Sequence, residues 1–270
     1  MKKICFVGGG NMASAMLTGL RKQHPALDCH VIEPFAEARE KLAGHGFTVH
    51  AAANKSAVAG ADAVVLAVKP QVLQQVCGEL LPCLDGELIV SIAAGVRINT
   101  LARWLGGNAR IVRTMPNTPA LIGQGVTGVY APATLAATDL ATATALMQST
   151  GVVISVENEA MIDAVTAVSG SGPAYVFHWI ESMLAAAEDA GFNAADARTL
   201  VLGTLKGATA LAAASDVSPG ILRDRVTSKG GTTAAALAVL NECDVAGAIM
   251  HAVRAAKNRG TELGDLLDRE

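Results

Sequence analysis

Aromatic residues are scarce in this sequence, and so is any excess of positive charge. Only 3% of the 270 residues are aromatic although 51% are hydrophobic, so the core must be built from Ala, Val, Leu and Ile. The formal net charge is −3. Nucleic-acid binding depends on Lys and Arg side chains that neutralise phosphates, so this balance argues against a nucleic-acid partner.

Cysteine and long apolar runs are also limited. The five cysteines form no C-x-x-C pair, which favours reduced thiols in the cytoplasm over a metal site. The apolar run after "MKK" has four residues, whereas a signal peptide needs roughly 7–15. No unbroken apolar stretch approaches the ~20 residues of a membrane span. We therefore expect a cytoplasmic protein with no membrane partner.

The first half of the chain alternates short β-branched runs with helical patterns. Alternating strands and helices predict a doubly wound parallel sheet, and several early strands are apolar almost throughout, as burial on both faces requires. The predicted strands are Lys3–Val7, Cys29–Glu33, Ala63–Val68, Glu87–Ile92, Ala109–Met115, Val126–Ala131 and Val152–Val156.

After Val156 only helical patterns follow. We therefore predict an α/β domain over residues 1–157 and an all-helical domain over residues 158–270. The segment Asn193–Ala214 is apolar around most of its circumference. Such a helix needs burial on nearly every side, which a small domain provides poorly. The helical domain is therefore expected to interlock with its copy in a second subunit.

The first strand is followed by a glycine-rich loop. In "KICFVGGGNMASAM", Gly8, Gly10 and Ala13 occupy the G-x-G-x-x-G/A positions, and Glu33 ends the next strand. The first strand, the glycine-rich loop, the helix after it and the acidic Glu33 together indicate a dinucleotide-binding sheet of Rossmann type. The helix N-terminus offers free N–H groups to a pyrophosphate. A carboxylate at the position of Glu33 favours the ribose hydroxyls of NAD over a 2′-phosphate.

Polar and small residues follow several other strands. Lys69 and Pro70 follow one strand, the small segment Ala93–Gly95 follows another, and Asn117 lies in the loop "MPNTP" after a third. Ligands in such sheets bind beyond the carboxyl ends of the strands. Further on, "VSGSGPAY" predicts a helix that breaks and restarts at Pro173, with Ser171 an undecided site residue.

A second glycine-containing helix start lies in "VTSKGGTTAAAL", residues 226–237. With "GGGNMA", "AVKP", "SIAAG", "MPNTP" and "AVSGSGPAY", it resembles the pyrroline-5-carboxylate reductase family, and the match covers Gly8 to about Leu240. Members reduce the ring imine of 1-pyrroline-5-carboxylate to L-proline. The resemblance implies a Rossmann domain, a helical dimerisation domain exchanged between subunits, and a homodimer that often assembles into a ring, here a decamer of five dimers.

The fingerprint, the strand ends and the resemblance together give a set of site residues. The expected cofactor contacts are Gly8, Gly10, Asn11, Met12, Ala13, Glu33, Asn54, Ala67, Val68, Lys69, Pro70, Ala93, Ala94, Gly95 and Asn117. By the resemblance, the carboxylate of the cyclic imino acid binds Ser228, Gly230, Gly231, Thr232 and Thr233. The hydroxyl of Thr233 partners the ring nitrogen, and Lys69 is the second residue assigned to catalysis.

Three residues depart from the family pattern. Lys229 stands where members usually have proline, and Arg225 where many have asparagine. Glu33 differs from the neutral or basic residue expected where NADPH is strongly preferred. We expect both NADPH and NADH to be accepted.

Two other functions are compatible with parts of the pattern. A β-hydroxyacid dehydrogenase has the same domain order but needs a proton donor, typically a lysine at the start of the helical domain. Between Glu157 and Ser228 the only lysine is Lys206, within an apolar helix. A sensor that binds NAD(P) without turnover would have no evident use for the "TSKGGTT" loop.

Overall fold

The computed structural model describes residues 1–108 and 110–269. Its β-sheet has eight strands. They are β1 Lys3–Val7, β2 Asp28–Ile32, β3 Thr48–His50, β4 Ala63–Leu66, β5 Ile89–Ser91, β6 Ile111–Met115, β7 Gly125–Tyr130 and β8 Gly151–Ser155. Their order across the sheet is β3-β2-β1-β4-β5-β6-β7-β8. The predicted fold class is confirmed; the predicted first residue of β6, Ala109, lies outside the described residues.

Twelve α-helices connect or follow these strands within the described ranges. They are α1 Asn11–Gln23, α2 Ala36–Gly44, α3 Lys55–Val58, α4 Pro70–Leu80, α5 Ile98–Trp104, α6 Ala137–Gln148, α7 Ala160–Val165, α8 Gly172–Asp189, α9 Ala194–Ala213, α10 Pro219–Arg225, α11 Thr232–Glu242 and α12 Val245–Leu267. No strand follows Ser155 in the part of the chain that the structure describes, in agreement with the predicted change to helices.

Alternate residues of the central strands enter two separate cores. On β1, Ile4 and Phe6 belong to the core that includes residues of α1 and α6, while Cys5 and Val7 belong to the core that includes residues of α4 and α5. All four side chains are at most 4% exposed. Burial on both faces explains why these strands are apolar almost throughout rather than alternating.

One pair of strands departs from the parallel arrangement. Strands β6 and β7 are antiparallel, with Thr114 opposite Val129, whereas the other strand pairs are parallel. Residues 116–124 alone separate these strands, including a 3₁₀ turn at Thr118–Ile122. A parallel crossover needs about a dozen residues or more, so the chain turns back instead.

The chain divides into two compact units, Met1–Pro173 with Ala255–Glu270, and Ala174–Arg254. The first contains the sheet together with the C-terminal part of α12. The second is helical. The boundary expected at residue 157 follows the change in secondary structure and stays a prediction.

Large apolar side chains of the helical unit remain exposed in the single chain. Ala197 and Val201 are its buried apolar residues among those described. At least 40% of each of the following is exposed: Val176, Phe177, Trp179, Phe192, Leu200, Leu211, Ile221, Val226, Val239, Ile249 and Met250. Exposed apolar surface on this scale marks an interaction site.

The described helices fall short of a membrane span. No single one of them is both long enough and apolar enough to cross a bilayer. The consecutive helices α11 and α12 meet those criteria only when counted as one bent pair.

The end of α12 is anchored on the sheet-containing unit. Arg97 pairs with Asp265 at 2.6 Å and also with Asp268. Gly95 has φ +74°, and a Cβ there would lie 3.2 Å from Cβ of Leu263. The segment after β5 therefore holds the C-terminal helix closely, a long-range contact that the sequence patterns do not reveal.

Candidate functional site

The loop between β1 and α1 has the geometry that its glycines predict. Gly8 has φ +98°, and a Cβ there would lie 2.7 Å from the carbonyl oxygen of Ala67. The Gly8 N–H donates to the carbonyl of Ile32 at 2.8 Å. Gly8 therefore allows the loop to pass between β2 and β4, which flank β1 in the sheet.

Gly10 is the N-cap of α1, and no side chain in the described structure caps this helix. Nothing lies within 4 Å of where a Gly10 Cβ would be. Backbone N–H groups at the first turn of a helix attract anions through both hydrogen bonding and the helix dipole. The start of α1 is thus open to a phosphate group.

A cleft of about 590 Å³ lies beyond the carboxyl ends of β1, β2 and β4. The expected cofactor residues Gly8, Gly10, Glu33, Ala67, Val68 and Lys69 all line it. Lys69 is exposed and is the N-cap of α4, with Pro70 at the first position of that helix. The lining also includes Pro34 and Phe35, which are not among the predicted site residues.

Phe35 is 73% exposed although it is a large apolar side chain. It lines the cleft and also a second groove of about 580 Å³, which contains Gly10 and Asn11 and extends between α1 and α2. An exposed aromatic face at a cleft mouth suits a flat heterocycle. Its position three residues after Ile32, at the end of a strand that flanks β1, is the signal that could have identified it.

Glu33 is engaged by the backbone. Its Oε2 accepts the N–H of Gly9 at 2.8 Å, and its Oε1 accepts the N–H of Phe35 at 2.9 Å. The residue is only 6% exposed. Glu33 is the residue expected to bind the ribose, and both of its carboxylate oxygens already accept hydrogen bonds from the backbone.

Several other expected cofactor residues have structural contacts. Asn54 caps α3 by accepting the N–H of Ala57 at 2.9 Å. Asn117 accepts the N–H of Val126 at 2.8 Å and donates to the carbonyl of Ser169 at 3.2 Å. These contacts fix loops near the strand ends, and roles for Asn54 and Asn117 in cofactor binding stay predictions.

The remaining expected cofactor residues are largely enclosed. Ala13 is 1% exposed and Ala93 is 3% exposed, while Met12 packs against the core beside α1. Ala94 is partly buried, and Gly95 faces α12 as described above. Ala13 therefore has the packing role expected of the third fingerprint position, which keeps α1 close to the sheet.

The loop before α11 ends in a glycine N-cap, as the loop before α1 does. Gly231 is the N-cap, with no side-chain cap in the described structure, and Gly230 has φ +73°. The Gly231 N–H donates to the carbonyl of Ser228 at 3.0 Å. The helix begins at Thr232, so the amides of Thr232 and Thr233 lie in its first turn.

The helical chain around "VSGSGPAY" is interrupted at Ser171, close to the predicted break. Residues Thr166–Gly170 form a π-helical turn after α7, Ser171 is a bend whose N–H donates to the carbonyl of Thr166 at 2.8 Å, and α8 starts at Gly172, one residue before the predicted restart at Pro173. A Cβ on Gly170 would lie 2.6 Å from Cε of Met115. Gly170 therefore allows the π turn to pack closely against Met115 of β6, and π turns recur at functional sites.

The buried thiols are poor nucleophiles. Burial raises the pKa of Cys5 and of Cys77 to about 12, and that of Cys29 to about 11. They remain protonated near neutral pH, and a thiol must ionise to attack or to bind a metal. These three thiols are therefore unsuited to nucleophilic attack.

Family models match both halves of the chain. Residues 159–263 match the pyrroline-5-carboxylate reductase dimerisation family, and residues 3–95 match a family described as NADP oxidoreductase, coenzyme F420-dependent. Pyrroline-5-carboxylate reductase of Pseudomonas aeruginosa is 45% identical over 267 residues, covering 98% of each chain. That of Vibrio alginolyticus is 39% identical over 270 residues, again covering 98% of each.

Solved structures agree with these relatives. A pyrroline-5-carboxylate reductase from Coxiella burnetii superimposes with a TM-score of 0.89 at 37% identity, covering 96% of this chain and 97% of that one. A pyrroline carboxylate reductase from Plasmodium falciparum with NADP bound has a TM-score of 0.87 at 30% identity, covering 97% and 98%. Since similarity to these reductases extends over nearly the whole length, the chain belongs to the pyrroline-5-carboxylate reductase family.

Proposed function

We propose that this protein reduces the ring imine of 1-pyrroline-5-carboxylate to L-proline, the last step of proline biosynthesis, with a nicotinamide cofactor. The observation that carries the proposal is the repeated glycine N-cap. Gly10 opens α1 and Gly231 opens α11, each without a side-chain cap in the described residues. The N-terminus of α1 suits a pyrophosphate and the N-terminus of α11 suits a substrate carboxylate, because both ligands are anionic.

The cleft beside Gly10 fits a dinucleotide. Its volume of about 590 Å³ lies within the range of roughly 300–1,000 Å³ usual for ligand sites. Gly8 and Gly10 allow close backbone approach, Phe35 offers an aromatic face, and Lys69 adds a positive charge at the rim. When bound, NADH or NADPH supplies the hydride. We propose that both cofactors are accepted, in keeping with the NADP-bound Plasmodium structure.

The loop Ser228–Thr233 binds the substrate carboxylate in this proposal. The amides at the start of α11 hold the carboxylate, and each hydrogen bond to a charged group contributes roughly 1.5–3 kcal/mol. Lys229 and Arg225 are exposed and add positive charge near this loop. An anionic substrate is attracted by that charge, more strongly at low salt.

Thr233 is the residue proposed to act on the ring nitrogen. A protonated ring imine already carries the charge that reduction removes, so no strong general acid is required. The Thr233 hydroxyl, in the first turn of α11, can accept the iminium N–H and so orient the ring. Lys69 is proposed to act at the cofactor cleft, where it is exposed at the N-terminus of α4.

The helical unit is proposed to form a homodimer by exchanging helices with a second copy, with a decamer of five dimers as the larger assembly. The match to a dimerisation family supports this, and so do exposed residues such as Phe177, Leu211 and Met250. The partner covers these side chains. A cytoplasmic location is proposed as well, in keeping with five cysteines that are all free.

The test is oxidation of NADH and NADPH, followed by loss of absorbance, with 1-pyrroline-5-carboxylate as substrate. Controls contain a 2-keto acid or a semialdehyde acid in its place. The proposal expects turnover with the cyclic imine and little with the controls. Preferential turnover of the 2-keto acid would indicate a hydroxyacid dehydrogenase, and binding without turnover of any of them would indicate a nucleotide sensor.

A further inference from the structure

We infer that Glu33 is a positioning residue that fixes the glycine-rich loop for either cofactor, rather than the residue that selects NADH by reading its ribose. The inference rests on the proposed cofactor cleft. It differs from the usual role of an acidic residue at the end of the second strand, which is to bind the ribose hydroxyls.

The carboxylate of Glu33 bridges two segments of backbone. Gly9, the middle residue of the glycine loop, donates its N–H to Oε2 at 2.8 Å, and Phe35, at the start of α2, donates to Oε1 at 2.9 Å. Only 6% of Glu33 is exposed, so water has little access to its carboxylate in place of these two amides. Glu33 thus joins the loop after β1 to the segment after β2.

Neighbouring contacts hold this arrangement in place. A Cβ on Gly9 would lie 2.6 Å from Cδ1 of Leu42 and 3.2 Å from Oε2 of Glu33, so the loop sits directly against the carboxylate. Arg39 Nη1 donates to the carbonyl of Glu33 at 2.9 Å and to that of Pro34 at 2.6 Å. The backbone on both sides of the carboxylate is therefore fixed.

Turning Glu33 toward a ribose would have a cost. The amides of Gly9 and Phe35 would lose a charged acceptor, and hydrogen bonds to charged groups are stronger than those between neutral groups. The two backbone amides therefore fix the orientation of the carboxylate against the loop. Because both cofactors place a pyrophosphate against that loop, loss of Glu33 should weaken both by a similar factor.

The test compares E33Q with the wild-type protein in two measurements. The glutamine has the same shape but only one acceptor oxygen, so its NH₂ group opposes one of the two amides. Hydrogen exchange in the cofactor-free protein should then be faster at Gly9 or at Phe35, whichever amide faces the NH₂ group, with the core strands unchanged. Titration by nucleotide fluorescence should show both NADH and NADPH binding weaker by roughly tenfold, the effect of losing one charge-assisted hydrogen bond.

Two further variants separate geometry from charge. E33D keeps the charge but shortens the side chain, and we expect it to weaken both cofactors as well. E37Q removes a charge from an exposed residue in the first turn of α2, and we expect unchanged exchange at Gly9 and unchanged relative affinity for the two cofactors.

Two results would overturn the inference. One is unchanged exchange at the Gly9 and Phe35 amides of E33Q. The other is weaker NADH binding accompanied by tighter NADPH binding, which identifies Glu33 as the ribose contact. A wild-type protein that binds neither nucleotide would contradict the proposed function instead, while the exchange measurement would still decide the role of Glu33.

Discussion

Arg113 donates from Nη2 to Oδ1 of Asp163 at 2.9 Å, in a position where their side chains are 1% and 7% exposed. The arginine lies on β6 and the aspartate on α7. Glu159 also accepts from Arg113, at 3.3 Å, and Oδ2 of Asp163 accepts from the hydroxyl of Thr261 at 3.4 Å. This buried cluster joins the sheet, α7 and the C-terminal part of α12.

Replacing Asp163 with asparagine should therefore be costly. Breaking a buried ion pair by removing one partner typically destabilises a protein by about 3–5 kcal/mol, and Glu159 compensates only part of the Arg113 charge because it lies farther away, at 3.3 Å. Urea unfolding followed by circular dichroism measures this. The matched control is Glu262→Gln, whose exposed pair with Arg259 lies on the surface and contributes at most about 1 kcal/mol. Equal effects of the two substitutions would mean that the buried pair has no special role.

Gly95→Ala should destabilise the protein through its backbone. The residue has φ +74°, and the new methyl group would lie 3.2 Å from Cβ of Leu263; a left-handed conformation alone costs a non-glycine residue roughly 1–2 kcal/mol. Gly78→Ala is the control, because Gly78 lies within α4 with nothing within 4 Å and alanine favours helices. Thermal unfolding should show a lower Tm for G95A and an equal or higher Tm for G78A. The reverse order is incompatible with the close packing of α12.

Gly10→Ala should separate binding from folding. A methyl group there meets nothing within 4 Å in the protein, but it would fill space that the proposed pyrophosphate site at the start of α1 requires. We expect a slightly lower Tm, because alanine is a poorer N-cap than glycine, and a cofactor Kd raised by at least about tenfold, or roughly 1.4 kcal/mol. Gly44→Ala, also without neighbours within 4 Å, should change neither quantity. Normal cofactor affinity in G10A would place the pyrophosphate elsewhere.

Thr233→Ala should lower kcat by roughly ten- to a thousandfold, at or below the usual range for a positioned proton-transfer group. Thr233→Ser restores the hydroxyl and should recover most of that loss. Steady-state kinetics with saturating cofactor compare the two variants, and the Tm of each checks folding. If T233A keeps the wild-type kcat, the hydroxyl has no part in the reaction.

Local patterns predicted the sheet and the nucleotide loop well. Apolar runs in β1 and β4 and the spacing of Gly8, Gly10 and Ala13 reflect constraints that act within a few residues. They are visible without knowledge of the rest of the chain. The uncapped start of α11 follows from the same local chemistry, because glycines precede an alanine-rich helix.

Features that depend on long-range contacts or very short elements were missed. Strand β3 has three residues and α3 has four, too few to show a period. The anchoring of Asp268 by Arg97 joins residues 171 positions apart. The hydrogen bonds that backbone amides donate to Glu33 could not be predicted from the sequence, because an acidic residue at this position also satisfies the ribose-binding pattern.

The transfer of deuterium to the product tests the central claim most directly. The protein would be supplied with 1-pyrroline-5-carboxylate and with NADH or NADPH deuterated at C4 of the nicotinamide, and the product analysed by mass spectrometry and NMR. We expect proline that carries deuterium at C5. We also expect the transfer to be stereospecific, from one face of the nicotinamide ring. Formation of no proline, or of proline that lacks deuterium whichever face of C4 carries the label, would contradict the assignment of this chain as an imine reductase.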